Sequence, residues 1–577
     1  MDRIRLAAVA ALAQLACVSG PSDGDRLREL FDREWETRLV NNPLLATSVG
    51  RHEFNDRLPD VSPSNQRRRA DEVREFLDEL EAIGRDQLSG ADQINYDIFE
   101  RQLGAVIADF DFRAYEMPLT ADSGFHTGFA QLPFEAPFET PDDYKNYIAR
   151  LEAFPSYVEQ QIANMRAGLE RGFSVPRVAL EGYEVTMSTH IVDNPEQSVF
   201  FEPFENLPES DPLREAGRGA VVEGAIAGYQ AMLEFFEAEY LSKTRTSVGA
   251  SEMPDGAAYY GQRIRHFTTL DLTPEQVHEI GLAEVARIRG EMDAIIDEVG
   301  FRGSFAEFLE FLRSDDQFYP KTGEELLMRA AYIAKQMDAK LPLLFRTLPR
   351  LTYGVAPVPD HLAPKYTGGR YSSAPAGSGR PGYYWVNTYK LESRPLYVLE
   401  SLTFHEAVPG HHLQCALANE QAGLPNFRRY EYIEAFGEGW GLYAEWLGLE
   451  SGFYSDPYSN FGRLTYEMWR ACRLVVDTGI HAMSWTRRQA IDYLASNTAL
   501  SLHEVTTEVD RYISWPGQAL AYKIGELKIR ELRREAEATL GERFDVRDFH
   551  DAVLLNGPVP LPVLERIVRR YISEPPG

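Results

Sequence analysis

Residues 399–414 read LESLTFHEAVPGHHLQ, an apolar helical run that carries three histidines, with a glutamate directly after the first of them. In the zinc-hydrolase arrangement HExxH, two histidines four residues apart bind one metal and the glutamate acts as general base. Here the residue four positions after His405 is Pro409. The stretch therefore predicts a buried helix that carries His405 and Glu406 and is interrupted before the second histidine.

The Pro409-Gly410 break affects which later histidine can reach a metal beside His405. On a straight helix, at ~100° and ~1.5 Å per residue, His411 lies ~240° around from His405, and His412 lies ~10 Å along the axis. Neither could share a metal with His405, because zinc–nitrogen bonds are only ~2 Å long. Proline interrupts helical hydrogen bonds and glycine permits unusual dihedral angles, so a bulge here could return His411 to the metal. Geometry alone does not decide whether His411 or His412 binds the metal.

A third ligand is expected from the helix predicted over residues 432–450, which reads YIEAFGEGWGLYAEWLGLE. Its acidic candidates are Glu434, Glu438 and Glu445. Glu438 lies between two glycines, which leave room for close approach to another helix or to a metal. Glu434 precedes Glu438 by one turn, so the two could serve as a ligand and its outer partner.

Four stretches together carry a family resemblance: HEAVPGHHLQ, EGWGLYAE, RLVVDTGIHAMSWT and PGQALAYKIGELKI. They resemble the bacterial family called domain of unknown function 885, over nearly the whole mature chain and most strongly from residue 381 to about residue 527. That family is similar to helical zinc metallopeptidases, namely oligopeptidases with an HEFGH motif and related carboxypeptidases. The resemblance implies a single Zn²⁺ per chain, an internal cleft and short peptides as substrates.

The resemblance also implies roles for individual residues. In those peptidases the second zinc histidine follows a glycine, which favours His411 over His412 here. Their glutamate ligand comes from a later helix, where this chain has Glu438. The implied ligands are therefore His405, His411 and Glu438, with Glu406 as the catalytic general base. The three inserted residues Ala-Val-Pro depart from the HEFGH pattern. This departure affects the assignment of the second zinc-binding histidine.

Two later segments are expected to complete the catalytic site. Arg473, Asp477 and His481 share a helical face at i, i+4 and i+8, and the first two are expected to form a structural ion pair. His481 could donate a hydrogen bond to a substrate carbonyl or to the developing oxyanion. Similar peptidases use a tyrosine from a late helix to polarise the scissile carbonyl, and Tyr522 is the candidate that this resemblance implies.

A small sheet is expected beside the active-site helix. Residues 351–355 and 383–388 have strand propensity, whereas residues 368–382 read as a loop rich in glycine, serine and proline. The second strand could lie along an extended substrate as an added strand partner. The predicted substrate-binding residues are Tyr384, Asn387 and His412.

Helical patterns dominate the rest of the chain, and regular alternation of strands and helices is absent, which excludes a TIM barrel or a Rossmann fold. The clearest helical patterns cover residues 144–172, 220–241, 273–299 and 321–340. The predicted fold class is mainly α: a large helical metallopeptidase-like body with an internal cleft and a small β-sheet. Residues 25–348 are predicted to form a mainly helical N-terminal region and residues 349–577 the catalytic region, in one continuous clamshell.

The N-terminus has the pattern of an export signal. A short positively charged segment precedes an apolar run over residues 6–16, and a polar stretch follows. Cys17 comes after Leu15-Ala16, which resembles a bacterial lipoprotein signal, although Gln14 stands where an aliphatic residue is usual. Residues 1–24 are therefore predicted to be a signal or lipoprotein-type segment, with a possible lipid anchor at Cys17. The predicted location is periplasmic or membrane-anchored in a bacterium; a simple cleaved signal or a misassigned start are the alternatives.

Composition excludes other classes of function. The 577 residues include 59 Lys and Arg and 88 Asp and Glu. The resulting net charge of −29 argues against nucleic-acid binding. The three cysteines form no CxxC pair, so a cysteine zinc site is not expected. No other stretch approaches the ~18 apolar residues of a transmembrane helix. The oligomeric state cannot be predicted.

Three functions follow from these patterns. The first is a zinc-dependent peptidase that cleaves short peptides, in carboxypeptidase, dipeptidase or oligopeptidase mode. The second is a metal-dependent hydrolase of another amide or ester. The third is a catalytically inactive helical peptide-binding protein, against which the intact Glu406 argues, because a binder needs no general base.

Overall fold

A computed structural model of the chain describes residues 21–360, 363, 366–373 and 380–575. Within these residues the protein is mainly helical and contains one three-stranded sheet, which confirms the prediction of a mainly α fold with a small β-sheet. The predicted lipid anchor Cys17 lies outside the described residues, and the first helix begins at Asp23. Among the described residues, no helix has both the length and the apolar character that a bilayer-spanning segment needs.

The helices before residue 349 are α1 Asp23–Asn41, α2 Pro43–Ser48, α3 Pro63–Glu81, α4 Gly90–Asp111, α5 Phe125–Phe129, α6 Leu132–Glu135, α7 Pro141–Arg171, α8 Val185–Ser188, α9 Pro212–Ala220, α10 Ala227–Phe235, α11 Leu241–Lys243, α12 Gly256–Thr268, α13 Pro274–Glu298, α14 Phe305–Ser314, α15 Gly323–Asp338 and α16 Leu341–Leu344. All four strongly patterned segments of this region are helical, as α7, the α9-to-α11 segment, α13 and α15.

The helices after residue 349 are α17 Leu399–Glu406, α18 His411–Asn419, α19 Asn426–Arg429, α20 Glu434–Glu450, α21 Pro457–Ala482, α22 Arg487–Asn497, α23 Leu502–Ser514, α24 Ala521–Leu540, α25 Val546–Leu554 and α26 Leu561–Ser573. The strands are β1 Tyr353–Pro357, β2 Gly369–Ser372 and β3 Gly382–Val386.

The sheet has the order β1-β3-β2, with β1 parallel and β2 antiparallel to β3. Two of its strands were predicted from their propensity, but β2 lies in the segment interpreted as a loop. Because β3 is the central strand, both of its edges are already paired. A substrate therefore cannot add to β3 as a strand partner, and that expectation was wrong. The strand that lies at the edge beside α17 is β2.

Two hydrophobic cores extend through the described part of the chain, and each takes residues from both regions predicted from the sequence. In one core, Phe31 of α1 packs against Phe427 of α19 with ring centroids 4.6 Å apart. In the other, Phe308 of α14 packs against Phe461 of α21 at 4.9 Å. The two regions therefore share their cores, and a boundary near residue 349 stays a prediction.

A buried ionic cluster connects α13, α21 and α24. The Lys523 side chain is fully buried, and its Nζ lies 2.9 Å from Glu467, 2.8 Å from Glu526 and 3.0 Å from Glu284. Burial would lower the pKa of Lys523, but the three carboxylates hold it above its usual value. The ammonium therefore stays charged and compensates carboxylates that have little access to water.

Replacing Lys523 by methionine is expected to lower the free energy of unfolding by ~3–5 kcal/mol, because buried carboxylates lose their compensating charge. Denaturant titration followed by circular dichroism would measure this loss. The matched control is Lys528→Met on the same helix, whose partners Glu531 and Glu565 are 52% and 27% exposed and whose ion pairs should each contribute at most ~1 kcal/mol. Equal effects of the two substitutions would contradict the assignment.

Candidate metal centre

The helix that carries His405 and Glu406 ends at Glu406, and α18 begins at His411. The turn between them contains a cis Val408–Pro409 bond. A Cβ on Gly410 would lie 2.0 Å from the carbonyl oxygen of His405, so glycine is required for this close approach. The rings of His405 and His411 consequently meet with centroids 4.7 Å apart. The break is thus a turn between two helices and not a bulge within one.

The structure brings together His405, His411 and Glu438. One ligand atom from each lies within 4.8 Å of the other two. The Nε2 atoms of both histidines are 3.4 Å from the same Glu438 oxygen, Oε2. The His405 side chain is nearly buried, whereas the Glu438 side chain is 14% exposed to solvent. The cluster is therefore accessible from the side of Glu438.

Glycines on α20 allow this convergence. A Cβ on Gly441 would lie 2.5 Å from Cε1 of His405, so the imidazole rests directly on the glycine. A Cβ on Gly439 would lie 2.5 Å from the carbonyl carbon of Gly525, so α20 and α24 touch through their backbones. The expectation that the glycines around Glu438 permit close approach to another helix is therefore confirmed.

Outer hydrogen bonds orient the ligands. His405 Nδ1 lies 2.8 Å from Oε1 of Glu445, which fixes the ring and leaves Nε2 directed at Glu438. Arg470 lies 3.5 Å from the same Glu445 oxygen. The Tyr432 hydroxyl donates to the second oxygen of Glu438 at 3.0 Å. The outer carboxylate is thus Glu445, and not Glu434 as one sequence interpretation had it.

Glu406 lies at the edge of the sheet beside this cluster. Its Oε2 accepts a 2.7 Å hydrogen bond from the backbone N–H of Tyr371 in β2. The residue is 8% exposed, so the carboxylate is nearly removed from bulk water. Its position directly after His405 places the proposed base next to the three ligands.

The charges of the cluster suit a bound cation. Burial would raise the pKa of Glu438, but His411 and His405 hold it well below its usual range. Burial would likewise lower the pKa of His405, but hydrogen bonds to Glu438 and Glu445 raise it to about 9. The carboxylates therefore favour positive charge at the histidine nitrogens, which are the atoms that would bind a metal.

The donor set fits zinc. Two imidazole nitrogens and one carboxylate oxygen are the protein ligands of many catalytic zinc sites. Ligand atoms ~2.0–2.1 Å from one zinc at tetrahedral angles lie ~3.3 Å apart. The two Nε2–Oε2 distances of 3.4 Å agree with that separation. His405, His411 and Glu438 are therefore the residues that would hold the ion.

His412 does not join the cluster. Its Nδ1 lies 3.2 Å from the Tyr371 hydroxyl, and its ring packs on Tyr353 with centroids 4.4 Å apart. Burial lowers its pKa to about 4, so the ring is neutral at pH 7. Its contacts are with Tyr371 and Tyr353 of the sheet, so its position supports the sheet and not the expected role in substrate binding.

The other two predicted substrate-binding residues, Tyr384 and Asn387, make contacts within the fold. Tyr384 is fully buried, with its hydroxyl 3.4 Å from Thr403. The Asn387 amide donates to the carbonyls of Ala363, Tyr366 and Thr367 at 2.9–3.0 Å. Its Oδ1 accepts from a backbone N–H at 2.9 Å, so no polar group is left for a substrate. Both predictions were wrong, because Tyr384 lies on the inner strand and Asn387, directly after that strand, binds neighbouring backbone.

His481 is likewise unavailable as an oxyanion donor. Its Nδ1 accepts from the backbone N–H of Ala250 at 3.0 Å, and its Nε2 lies 2.9 Å from the carbonyl oxygen of Tyr512. Burial lowers its pKa to about 3, so the ring stays neutral. Both nitrogens thus bind backbone, and the residue is a buried packing histidine.

The expected ion pair on the same helix is also not formed. Arg473 pairs with Glu508 at 3.0 Å. Asp477 accepts from the Tyr260 hydroxyl at 2.6 Å and from the backbone N–H of Gly517. The i, i+4 spacing was correct for one helical face, but each side chain turns to a different neighbouring helix.

Arg370 lies near both Glu406 and Tyr522. The Arg473 guanidinium stacks over the Tyr522 ring at 4.1 Å, which fixes the ring while the residue stays partly exposed. Desolvation would lower the pKa of Arg370, but Tyr366 and the Glu406 carboxylate hold it above its usual value. The sequence analysis missed Arg370, since it lies on the unpredicted strand β2.

Comparison with known proteins gives a family and a fold. The family described as "Bacterial protein of unknown function (DUF885)" matches residues 43–568. The crystal structure of the "putative lipoprotein" from Colwellia psychrerythraea is similar, with TM-score 0.89 and 31% identity over 96% of this chain and 99% of that chain. A "putative lipoprotein of unknown function" from Shewanella oneidensis has TM-score 0.75 and 18% identity over 95% and 100% of the chains, a likeness of fold alone. No curated protein matches.

Proposed function

We propose that this chain, which belongs to the bacterial DUF885 family, is a zinc-dependent peptidase that hydrolyses short peptides. The observation that carries the proposal is the convergence of His405, His411 and Glu438 within 4.8 Å beside Glu406. Two imidazoles, a carboxylate ligand and a separate, shielded carboxylate base are the protein groups that metal-assisted amide hydrolysis requires.

Glu406 is the proposed general base and acid. When bound, zinc acts as a Lewis acid that makes water nucleophilic near neutral pH. Glu406 accepts the proton of the attacking water and delivers it to the leaving amine. The Tyr371 N–H holds one carboxylate oxygen at 2.7 Å, which leaves the other oxygen available for the proton.

Tyr522 and Arg370 are proposed to act on the substrate. The Tyr522 hydroxyl is the proposed hydrogen-bond donor to the scissile carbonyl as negative charge develops on it. The stacked Arg473 restricts the ring to one orientation. Arg370, a cation close to Glu406, is proposed to bind a carboxylate or carbonyl of the peptide.

Metal content should distinguish the two neighbouring histidines. Protein purified without chelator is expected to contain about one zinc per chain. His411→Ala should lose most of it, because the variant lacks one of three ligands, whereas His412→Ala should retain it. Inductively coupled plasma mass spectrometry would measure both. Zinc bound equally by the two variants would show that His411 is not a ligand.

A peptide-library digest read by mass spectrometry, with and without chelator, tests the activity. Cleavage that chelator abolishes and added zinc restores is the expected result. Zinc-bound protein that cuts no peptide but hydrolyses other amides or esters would favour the second candidate function. Protein with neither metal nor activity would favour an inactive peptide binder.

The protein is further proposed to be exported and to be held at the membrane of a bacterium by a lipid on Cys17. The support is the signal-like sequence before Cys17, together with two similar structures described as putative lipoproteins. Metabolic labelling with a palmitate analogue, compared with a Cys17→Ser variant, would test it.

A further inference from the structure

A cavity of about 350 Å³ lies against the same helix that carries Glu406. Leu402 lines it, one helical turn before Glu406 on α17. Gly368 also lines it, directly before β2, the strand whose Tyr371 N–H binds Glu406. The cavity therefore lies against α17 and the start of β2, the two elements that hold the proposed catalytic carboxylate.

Apolar side chains form much of the wall of this cavity, together with three glutamates, of which Glu504 is partly buried. Tyr397, Leu402 and Leu500 are buried in its wall. Glu310 and Glu392 lie at exposed positions. This arrangement is typical of a pocket that takes an apolar group and leaves the polar backbone outside.

The buried cations of the wall are already committed to backbone. Arg313 donates to the carbonyls of Leu500 and Thr498 at 3.0 and 2.7 Å. Arg394 donates to the carbonyls of Asn387 and Ser393, each at 3.2 Å. Neither guanidinium is positioned to select an anionic ligand.

We infer that this cavity is the specificity pocket for a bulky apolar side chain, of leucine or phenylalanine size, on a peptide residue next to the scissile bond. The inference rests on the proposed peptidase function. A peptide with that side chain in the cavity would have its backbone along the edge of β2, beside Glu406.

Gly368→Leu would add a bulky side chain to the wall of the cavity, beside Leu402 and Tyr466. The backbone of Gly368 is not left-handed, and a Cβ there would lie 3.8 Å from Cδ2 of Leu402 and 3.9 Å from the Tyr466 hydroxyl, which is ordinary contact. The substitution therefore adds no backbone strain, and the added side chain is expected to take up part of the cavity. The matched control is Gly290→Leu on α13, where a Cβ meets nothing within 4 Å.

Paired peptides that differ only by phenylalanine or alanine at the selective position give the readout. Wild type and Gly290→Leu are expected to prefer phenylalanine in kcat/KM, and Gly368→Leu should lower that preference about tenfold or more. An unchanged preference in Gly368→Leu, no preference in wild type, or a preference for lysine would overturn the inference.

A binding measurement separates this inference from the peptidase proposal. If wild type cleaves no peptide, ligand-observed NMR with N-acetyl-L-phenylalaninamide still tests the cavity. Binding to wild type and to Gly290→Leu, but not to Gly368→Leu, would support the pocket although the peptidase proposal had failed. Absence of binding to wild type would overturn the pocket itself.

Discussion

Glu406→Gln is expected to lower kcat/KM for peptide hydrolysis by about 10²–10⁴-fold while the protein keeps its zinc. The amide oxygen can still accept the hydrogen bond that Tyr371 now donates at 2.7 Å, so the local structure should persist. The amide cannot take a proton from water, so the step assigned to Glu406 is lost. Metal is retained because Glu406 is not one of the three converging ligands.

Glu400→Gln on the same helix is the matched control. The Glu400 carboxylate accepts hydrogen bonds from the Tyr454 backbone and the Ser459 hydroxyl at 3.0 and 2.6 Å, and an amide oxygen can accept them too. This variant should therefore retain activity close to that of wild type. Wild-type rates in Glu406→Gln would mean that another group moves the proton. Full loss of zinc in that variant would mean that Glu406 is itself a ligand.

Much of the convergence of His405, His411 and Glu438 could be predicted from the sequence, because several of its determinants are local. His405 and Glu406 follow from the motif, and the Pro-Gly break shows where the helix stops. The glycines beside Glu438 indicate a close contact even without knowledge of the partner. Geometry alone could not choose between the two later histidines, because the choice depends on dihedral angles in the turn. The family resemblance favoured the one that the structure brings to the cluster.

The errors concern tertiary position. Tyr384 lies on a well-predicted strand and Asn387 directly after it, but a strand pattern does not say whether the strand is central or at an edge. The helical face that carries His481 was predicted correctly. The backbone groups that bind its ring, however, belong to segments distant in the sequence. Arg370 was missed because the surrounding segment is rich in glycine and serine, and β2 forms only through pairing with β3.

Gly441→Ala is expected to weaken zinc binding by at least ~10–100-fold, although the residue is neither a ligand nor charged. The added Cβ would lie 2.5 Å from Cε1 of His405 and 2.8 Å from both ring nitrogens. The ring cannot easily move away, because Glu445 holds its Nδ1 at 2.8 Å. Either that hydrogen bond breaks or Nε2 leaves its position beside Glu438, and activity should fall in parallel with metal content.

Gly448→Ala separates this effect from general crowding in α20. Its Cβ would lie 2.5 Å from the Tyr454 ring and 2.8 Å from the Phe404 ring, so the overlap is as severe as at Gly441 but involves no ligand. Both variants should lose ~1–3 kcal/mol of folding free energy. Only Gly441→Ala should lose zinc at concentrations that saturate wild type. If both retained zinc equally, His405 could not be bound in the orientation seen here, and the assigned ligand set would have to change.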